Sequence, residues 1–274
     1  MVKQAQKLAP GKEVRLHCWR GGMRSGAVQW LLELAGFKVH LLDHGYKEYR
    51  RAVLASVAAP RAWRVLGGLS GSGKTDVLHV LAAAPHAQSV LDLEGIAHHK
   101  GSAFGAIGQP AQPTQEQFEN NLAAAMTELP AATPTWVEDE SRQIGRLTIP
   151  PAMFEQLRVA PRWIVNAPRP ARVAKLAAEY GAENPAELAA AITRLAKRLG
   201  GLATQQALEA VARGDFPLMV ELVLDYYDKT YAYGLAARSG EALQTAVSVP
   251  GCDADANAVL LLRSLHPASV IAPQ

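Results

Sequence analysis

The octet Gly68-Leu69-Ser70-Gly71-Ser72-Gly73-Lys74-Thr75 decides the fold of this 274-residue chain. It fits G-x-x-x-x-G-K-[ST], and it stands where that pattern has mechanical meaning, between a short apolar run at residues 63–66 and a helical segment. A glycine-rich turn in that place lets backbone N–H groups face an anion, the helix start adds a partial positive charge, and a lysine adds a full one. Gly68, Gly71, Ser72 and Gly73 are the expected phosphate cradle, Lys74 its cation, and Thr75 the hydroxyl placed for Mg²⁺ if a diphosphate or nucleotide ligand brings one.

Further apolar runs follow at residues 89–93, 135–137 and 163–165, separated by segments long enough for crossover helices. Such alternation predicts a parallel sheet covered on both faces, with ligands beyond the C-terminal strand ends. Asp92, Glu94, Glu138 and Asp139 end two of these runs and are candidate acidic partners, as a base or as holders of a Mg²⁺ water. Arg142, Arg169 and Arg172 are candidates for a second anion clamp. Solvated strand-end acids and ordinary surface arginines are the plain alternatives. From residue 168 onward the pattern turns helical, with Asn184 before residues 185–199 and Asp215 before residues 216–227.

On the other side of the octet, residues 14–19 (VRLHCW) and 37–42 are β-prone, and residues 25–34 between them have helical spacing. Near the end of the first run stands Cys18, followed by Trp19, Arg20, Gly21, Gly22, Met23, Arg24 and Ser25. A cysteine at a strand end, before a tight loop that opens a helix, is set to ionise, because the helix start and nearby arginines favour the thiolate. The two glycines let loop N–H groups face whatever Cys18 carries, and Arg24 is expected to close the ring, so Cys18 and Arg24 are the candidate catalytic pair. Cys252, in VPGCDAD, has no such surroundings and reads as incidental.

Composition narrows the classes without choosing a function. With 49% hydrophobic and 19% charged residues the chain can bury a full core. A net charge of +3 allows a nucleic-acid partner without requiring one. Two cysteines exclude a disulfide framework, no apolar run reaches about 18 residues, and the start MVKQAQKLAPGKEVR has no signal-peptide core. A cytoplasmic protein without a membrane partner is expected, with no protein-bound metal and no tightly held cofactor.

The words CWRGGMRSG (residues 18–26), LAGFKVHLLDHGYKEYR (34–50), GGLSGSGKT (67–75), DLEGIAHHKGSAFG (92–105) and VEDESRQIG (137–145) together resemble the tRNA 2-selenouridine synthase family. The resemblance implies an α/β fold: a partial rhodanese-like segment with the cysteine loop (residues 1–58), a P-loop parallel-sheet domain (59–180) and a helical C-terminal region (181–274). It implies conversion of 2-thiouridine to 2-selenouridine at the tRNA wobble position, through an S-geranyl intermediate, with geranyl diphosphate and selenophosphate as donors. Cys18 would carry selenium in a loop fitted to selenophosphate, and the cradle would take the diphosphate or, equally well by sequence, a nucleotide. The base would be met in the anticodon loop by Trp19, Tyr46, Tyr49, Arg50 and Arg51. Only thirteen residues precede Val14, so the chain is expected to be an N-terminally shortened member whose first fifty residues are its least stable part. A cysteine phosphatase of the C-x5-R type, or a P-loop kinase or NTPase with a vestigial rhodanese segment, are the alternatives. The phosphatase reading leaves the phosphate loop and DLEGIAHHKGSAFG unexplained, and ATP turnover without tRNA would favour the kinase or NTPase.

Overall fold

A computed structural model describes residues 1–236 and 243–265. The chain forms two compact units, Met1–Ala59 and Pro60–Gln274. In the first, α1 (Val2–Leu8) precedes β1 (Glu13–Leu16), α2 (Met23–Leu34), β2 (Lys38–Leu41) and α3 (Gly45–Ala58). The two strands pair in parallel with Val14 opposite Val39, and α2 is the crossover that this direction requires. β1 ends at Leu16, whose carbonyl takes the last cross-strand bond, from Leu42 N–H, so His17, Cys18 and Trp19 belong to the loop and not to the strand. Leu32, Phe37, Val53 and Val57 are the buried hydrophobic residues of this unit. A two-stranded sheet over so small a core opens easily. Amide hydrogens of β1 and β2 are therefore expected to exchange faster than those of the central sheet in the second unit; equal protection would contradict this.

The second unit runs β3 (Trp63–Gly68), α4 (Lys74–Ala82), β4 (Val90–Leu91), α5 (Leu93–Ala97), α6 (Gln115–Glu128), β5 (Thr135–Glu138) and the hairpin β6 (Gln143–Ile144) and β7 (Leu147–Thr148). It continues with α7 (Pro151–Val159), β8 (Arg162–Asn166), α8 (Arg169–Gly181), α9 (Pro185–Leu199), α10 (Gly201–Arg213), α11 (Phe216–Ala236), β9 (Gln244–Ser248) and α12 (Ala254–Ser264). Five strands form one parallel sheet in the order β4-β5-β3-β8-β9. β3, β5 and β8 are buried along nearly their whole length, as expected for strands covered on both faces. The chain winds to one side of β3 through β4 and β5, then to the other through β8, which makes the C-terminal end of β3 the switch point where such sheets bind ligands.

Short polar side chains fix several boundaries. Asn184 accepts from Ala186 N–H and starts α9, and Thr114 accepts from Gln117 N–H at the start of α6. Asp92 accepts from Gly95 N–H, so the run at residues 89–93 yields only a two-residue strand before α5 begins. The expectation of a purely helical region over residues 181–274 is corrected. β9 pairs with β8 at the sheet edge, and α12 packs with α4 through Val77, Leu78, Leu81, Ala258 and Leu261. The helices α8 to α11 bury a separate cluster that includes Leu188, Ile192, Leu195, Met219 and Val223. Among the described residues no helix is long and apolar enough to cross a membrane.

Candidate functional site

The octet forms the turn from β3 into α4, with Gly71 and Gly73 at positive φ. Lys74 Nζ donates to the carbonyl of Gly68 at 2.9 Å, which holds the ammonium over its own loop. Thr75 Oγ1 donates to Glu94 Oε2 at 3.1 Å. Both expected cations of the clamp on α8 turn out to be braces. Arg172 is buried, donates to the carbonyl of Ser70 at 3.0 Å and makes a two-pronged pair with Asp228 of α11 at 2.9 and 2.8 Å. Arg169 is held by Glu221, Asp225 and Asp228 of the same helix. Arg142 lines the cavity described below.

The acidic candidates divide. Asp92 caps α5 and pairs with His79, and Asp139 meets the buried Arg162 at 3.4 Å, so both have structural roles. Glu94 stays beside Lys74, Thr75 and the neighbouring Glu140. Burial, with the charges of Asp92 and Glu94 nearby, pushes the Glu138 carboxyl up to about 8. Burial and the adjoining Glu94 also push Glu140 well above the carboxylate range. A carboxyl raised in the folded state stabilises the fold only while protonated: this contribution is complete below the unfolded value of about 4.3 and is lost as pH rises through 8. Glu138→Gln keeps an acceptor for Leu93 N–H, which the carboxylate now meets at 3.1 Å. It is expected to raise the melting temperature near about pH 9 and change it little near about pH 4, as thermal unfolding at the two pH values will show.

A cavity of about 710 Å³ opens from the phosphate loop. Lys74, Thr75, Glu94, Glu140 and Arg142 stand at its polar end, and Phe104, Ile107, Leu176, Tyr180, Leu195 and Tyr227 line its apolar wall. The wall is continuous with the core of the helical cluster. Phe104 and Tyr180 pack with ring centroids 5.2 Å apart. The stretch DLEGIAHHKGSAFG forms α5 and the rim that follows it. Tyr227 OH accepts from Ala103 N–H, Arg194 donates to Ala103 O, and a Cβ at Gly101 would run into the Glu140 carboxyl. Three contributors escaped the sequence reading. Tyr231 OH accepts from Gly68 N–H at 2.8 Å, Lys175 pairs with Asp76, and Cys252 Sγ lies 3.4 Å from Gly71 O, so this cysteine flanks the loop. Among the described residues no group of three His, Cys, Asp or Glu is gathered to hold a metal ion.

In the first unit, Ser25 Oγ lies 3.0 Å from Gly22 O and 3.2 Å from Cys18 Sγ, to which its hydroxyl donates once the thiol has ionised. That hydrogen bond, with the backbone N–H groups of Gly22, Arg20 and Ser25, holds the thiol down to about 6 against the opposing effect of burial. Ser25 is thus the side chain on the sulfur, whereas Arg24 is exposed, as are Trp19, Arg20, Gly21, Gly22 and Met23. The loop is pinned to the start of α3 by Tyr46 N–H to Cys18 O and Lys47 N–H to Trp19 O, both 2.9 Å. Gly21 and Gly45 lie back to back there: a Cβ on Gly21 would come within 2.7 Å of Gly45 N, and one on Gly45 would strike Cys18 O. Alkylation of Cys18 is expected to follow a midpoint near 6, fast above it and lost as pH falls through it. Ser25→Ala should move that midpoint toward the ordinary thiol value of about 8.5.

A parallel sheet with a glycine-lysine phosphate loop at the end of its central strand defines the P-loop class of α/β phosphate-binding proteins. Within it, residues 61–248 match the profile of the tRNA 2-selenouridine synthase AAA domain. The tRNA 2-selenouridine synthase of Marinobacter nauticus is 33% identical over 270 residues, covering 86% of this chain and 72% of its own. That of Alcanivorax borkumensis is 37% identical over 264 residues, covering 83% and 70%. The Shewanella piezotolerans protein of the same name is 36% identical over 252 residues, covering 80% and 67%. The chain belongs to the tRNA 2-selenouridine synthase family.

Proposed function

We propose that the chain converts 2-thiouridine in tRNA to 2-selenouridine in two substitutions, the first at the phosphate-loop cavity and the second at Cys18. In the first, the base sulfur attacks C1 of geranyl diphosphate; a C–S bond forms, the C–O bond breaks and diphosphate leaves. In the second, the selenium of selenophosphate seated in the Cys18 loop attacks C2 of the base; the C–Se bond forms, the C–S bond breaks and geranylthiolate leaves, after which the Cys18 thiolate takes the phosphoryl group, S–P forming as Se–P breaks, and water releases it as phosphate. The observation that carries the reading is the single cavity joining a phosphate cradle to an aromatic and aliphatic wall. A prenyl diphosphate has that division, a charged head on a hydrocarbon chain.

In this reading Lys74 and the loop N–H groups hold the departing diphosphate, and Phe104, Ile107 and Leu195 exclude water from the chain. The hydroxyl of Thr75 and the carboxylate of Glu94 are hard oxygen donors that fit Mg²⁺. They would hold an ion arriving with the diphosphate, which supplies charge neutralisation to that leaving group. Equilibrium binding tests the assignment. Geranyl diphosphate is expected to bind at least about tenfold more tightly than inorganic diphosphate, since each buried methylene contributes about 0.8 kcal/mol. Tighter binding of ATP, with no gain from the geranyl chain, would overturn it. Mass spectrometry of nucleosides from 2-thiouridine tRNA incubated with both donors tests the whole conversion.

A further inference from the structure

The charge of the chain is unevenly divided. Residues 1–59 hold ten Lys and Arg against four Asp and Glu, a net of +6, while the whole chain is only +3, which leaves −3 on residues 60–274. Five of those cations, Arg20, Arg24, Lys47, Arg50 and Arg51, fall in the Cys18 loop and the first half of α3. A second observation coincides with this. Tyr46 stands at the centre of an aromatic group, its ring centroid 5.6 Å from His17, 5.8 Å from Trp19 and 5.7 Å from Tyr49. The group is separate from the small core of this unit: Trp19 is 50% and Tyr49 40% exposed, whereas Leu32, Phe37, Val53 and Val57 are at most 5% exposed. The backbone bonds from Tyr46 and Lys47 to Cys18 and Trp19 fix this group beside the sulfur.

Exposed aromatic faces set among cations, with no groove or recognition helix, are the means by which proteins take hold of unpaired bases in single-stranded RNA. Cations alone would serve any polyanion, and aromatic rings alone any apolar partner; their combination at a nucleophile selects a nucleobase with its flanking phosphates. We infer that the Trp19, Tyr46 and Tyr49 rings form the stacking platform for the target uridine of tRNA, with Lys47, Arg50 and Arg51 on the adjoining phosphates. The inference rests on the reading of Cys18 as the site of selenium transfer only for the identity of the base.

The test uses the full-length chain and an anticodon stem-loop RNA with 2-thiouridine at the target position, beside the same RNA made abasic there. Trp19→Ala is expected to weaken binding of the intact RNA by about tenfold or more, and of the abasic RNA by less than about twofold, since a ring that stacks on the base has nothing to lose once the base is gone. Trp19→Phe should restore most of the affinity. Tyr49→Ala supplies the same comparison should Trp19→Ala disturb the loop, which circular dichroism and the Cys18 alkylation midpoint would reveal. Equal losses on the two RNAs, or no loss on either, would overturn the proposal. Cys18→Ser should leave all these affinities unchanged, so failure of selenium transfer and failure of the platform are separately visible.

Discussion

Cys18→Ser is expected to stop selenium transfer, lowering it by at least about a thousandfold, while S-geranylated tRNA still forms. Serine keeps the size of the side chain and its contact with Ser25, but its hydroxyl does not ionise where the thiol does, near 6. In the proposed function the two chemistries fall on residues of different compact units, the sulfur within Met1–Ala59 and the phosphate loop within Pro60–Gln274. Nucleoside mass spectrometry should therefore show geranylthiouridine accumulating. Selenouridine from the variant, or an equal loss of the geranylated nucleoside, would refute this division of labour.

Lys74→Ala has the next largest expected effect, on binding. A charge-assisted hydrogen bond is worth about 1.5 to 3 kcal/mol, so geranyl diphosphate should bind roughly ten- to a hundredfold more weakly. The fold should survive, because the loop is also held by Arg172 on Ser70 O and by Tyr231 on Gly68 N–H. Calorimetric titration beside a melting curve separates the outcomes. Unchanged affinity would remove the cradle from the reaction, and a large drop in melting temperature would make Lys74 a structural residue.

Features set by neighbours in sequence were legible. The octet announced the β3–α4 turn, and Asn184 followed by Pro185 announced α9, because a glycine-lysine turn and a helix cap are each written within a few residues. Features set by distant partners were not. Nothing near Gly68 says that its N–H will meet a tyrosine 163 residues away, and nothing near Arg172 says that Asp228 will claim it. The five residues of β9 carry too few apolar side chains to stand out, and they became a strand because β8 had an open edge. The cavity wall was hidden for another reason: Phe104, Leu176, Tyr180 and Leu195 have the spacing of ordinary helix cores, and only packing shows which of them face a void.

The two grips of α11 on the octet, Tyr231 on Gly68 and Asp228 through Arg172 on Ser70, bear on how this chain can change over generations or at the bench. The sheet and the helical portion are not interchangeable cassettes. Joining the segment that ends with α8 to another tail would leave the buried Arg172 guanidinium without its counter-charge, a loss that in protein interiors costs about 3 to 5 kcal/mol. Shortening the chain ahead of residue 228 would do the same, so the two halves must be inherited, and engineered, as one.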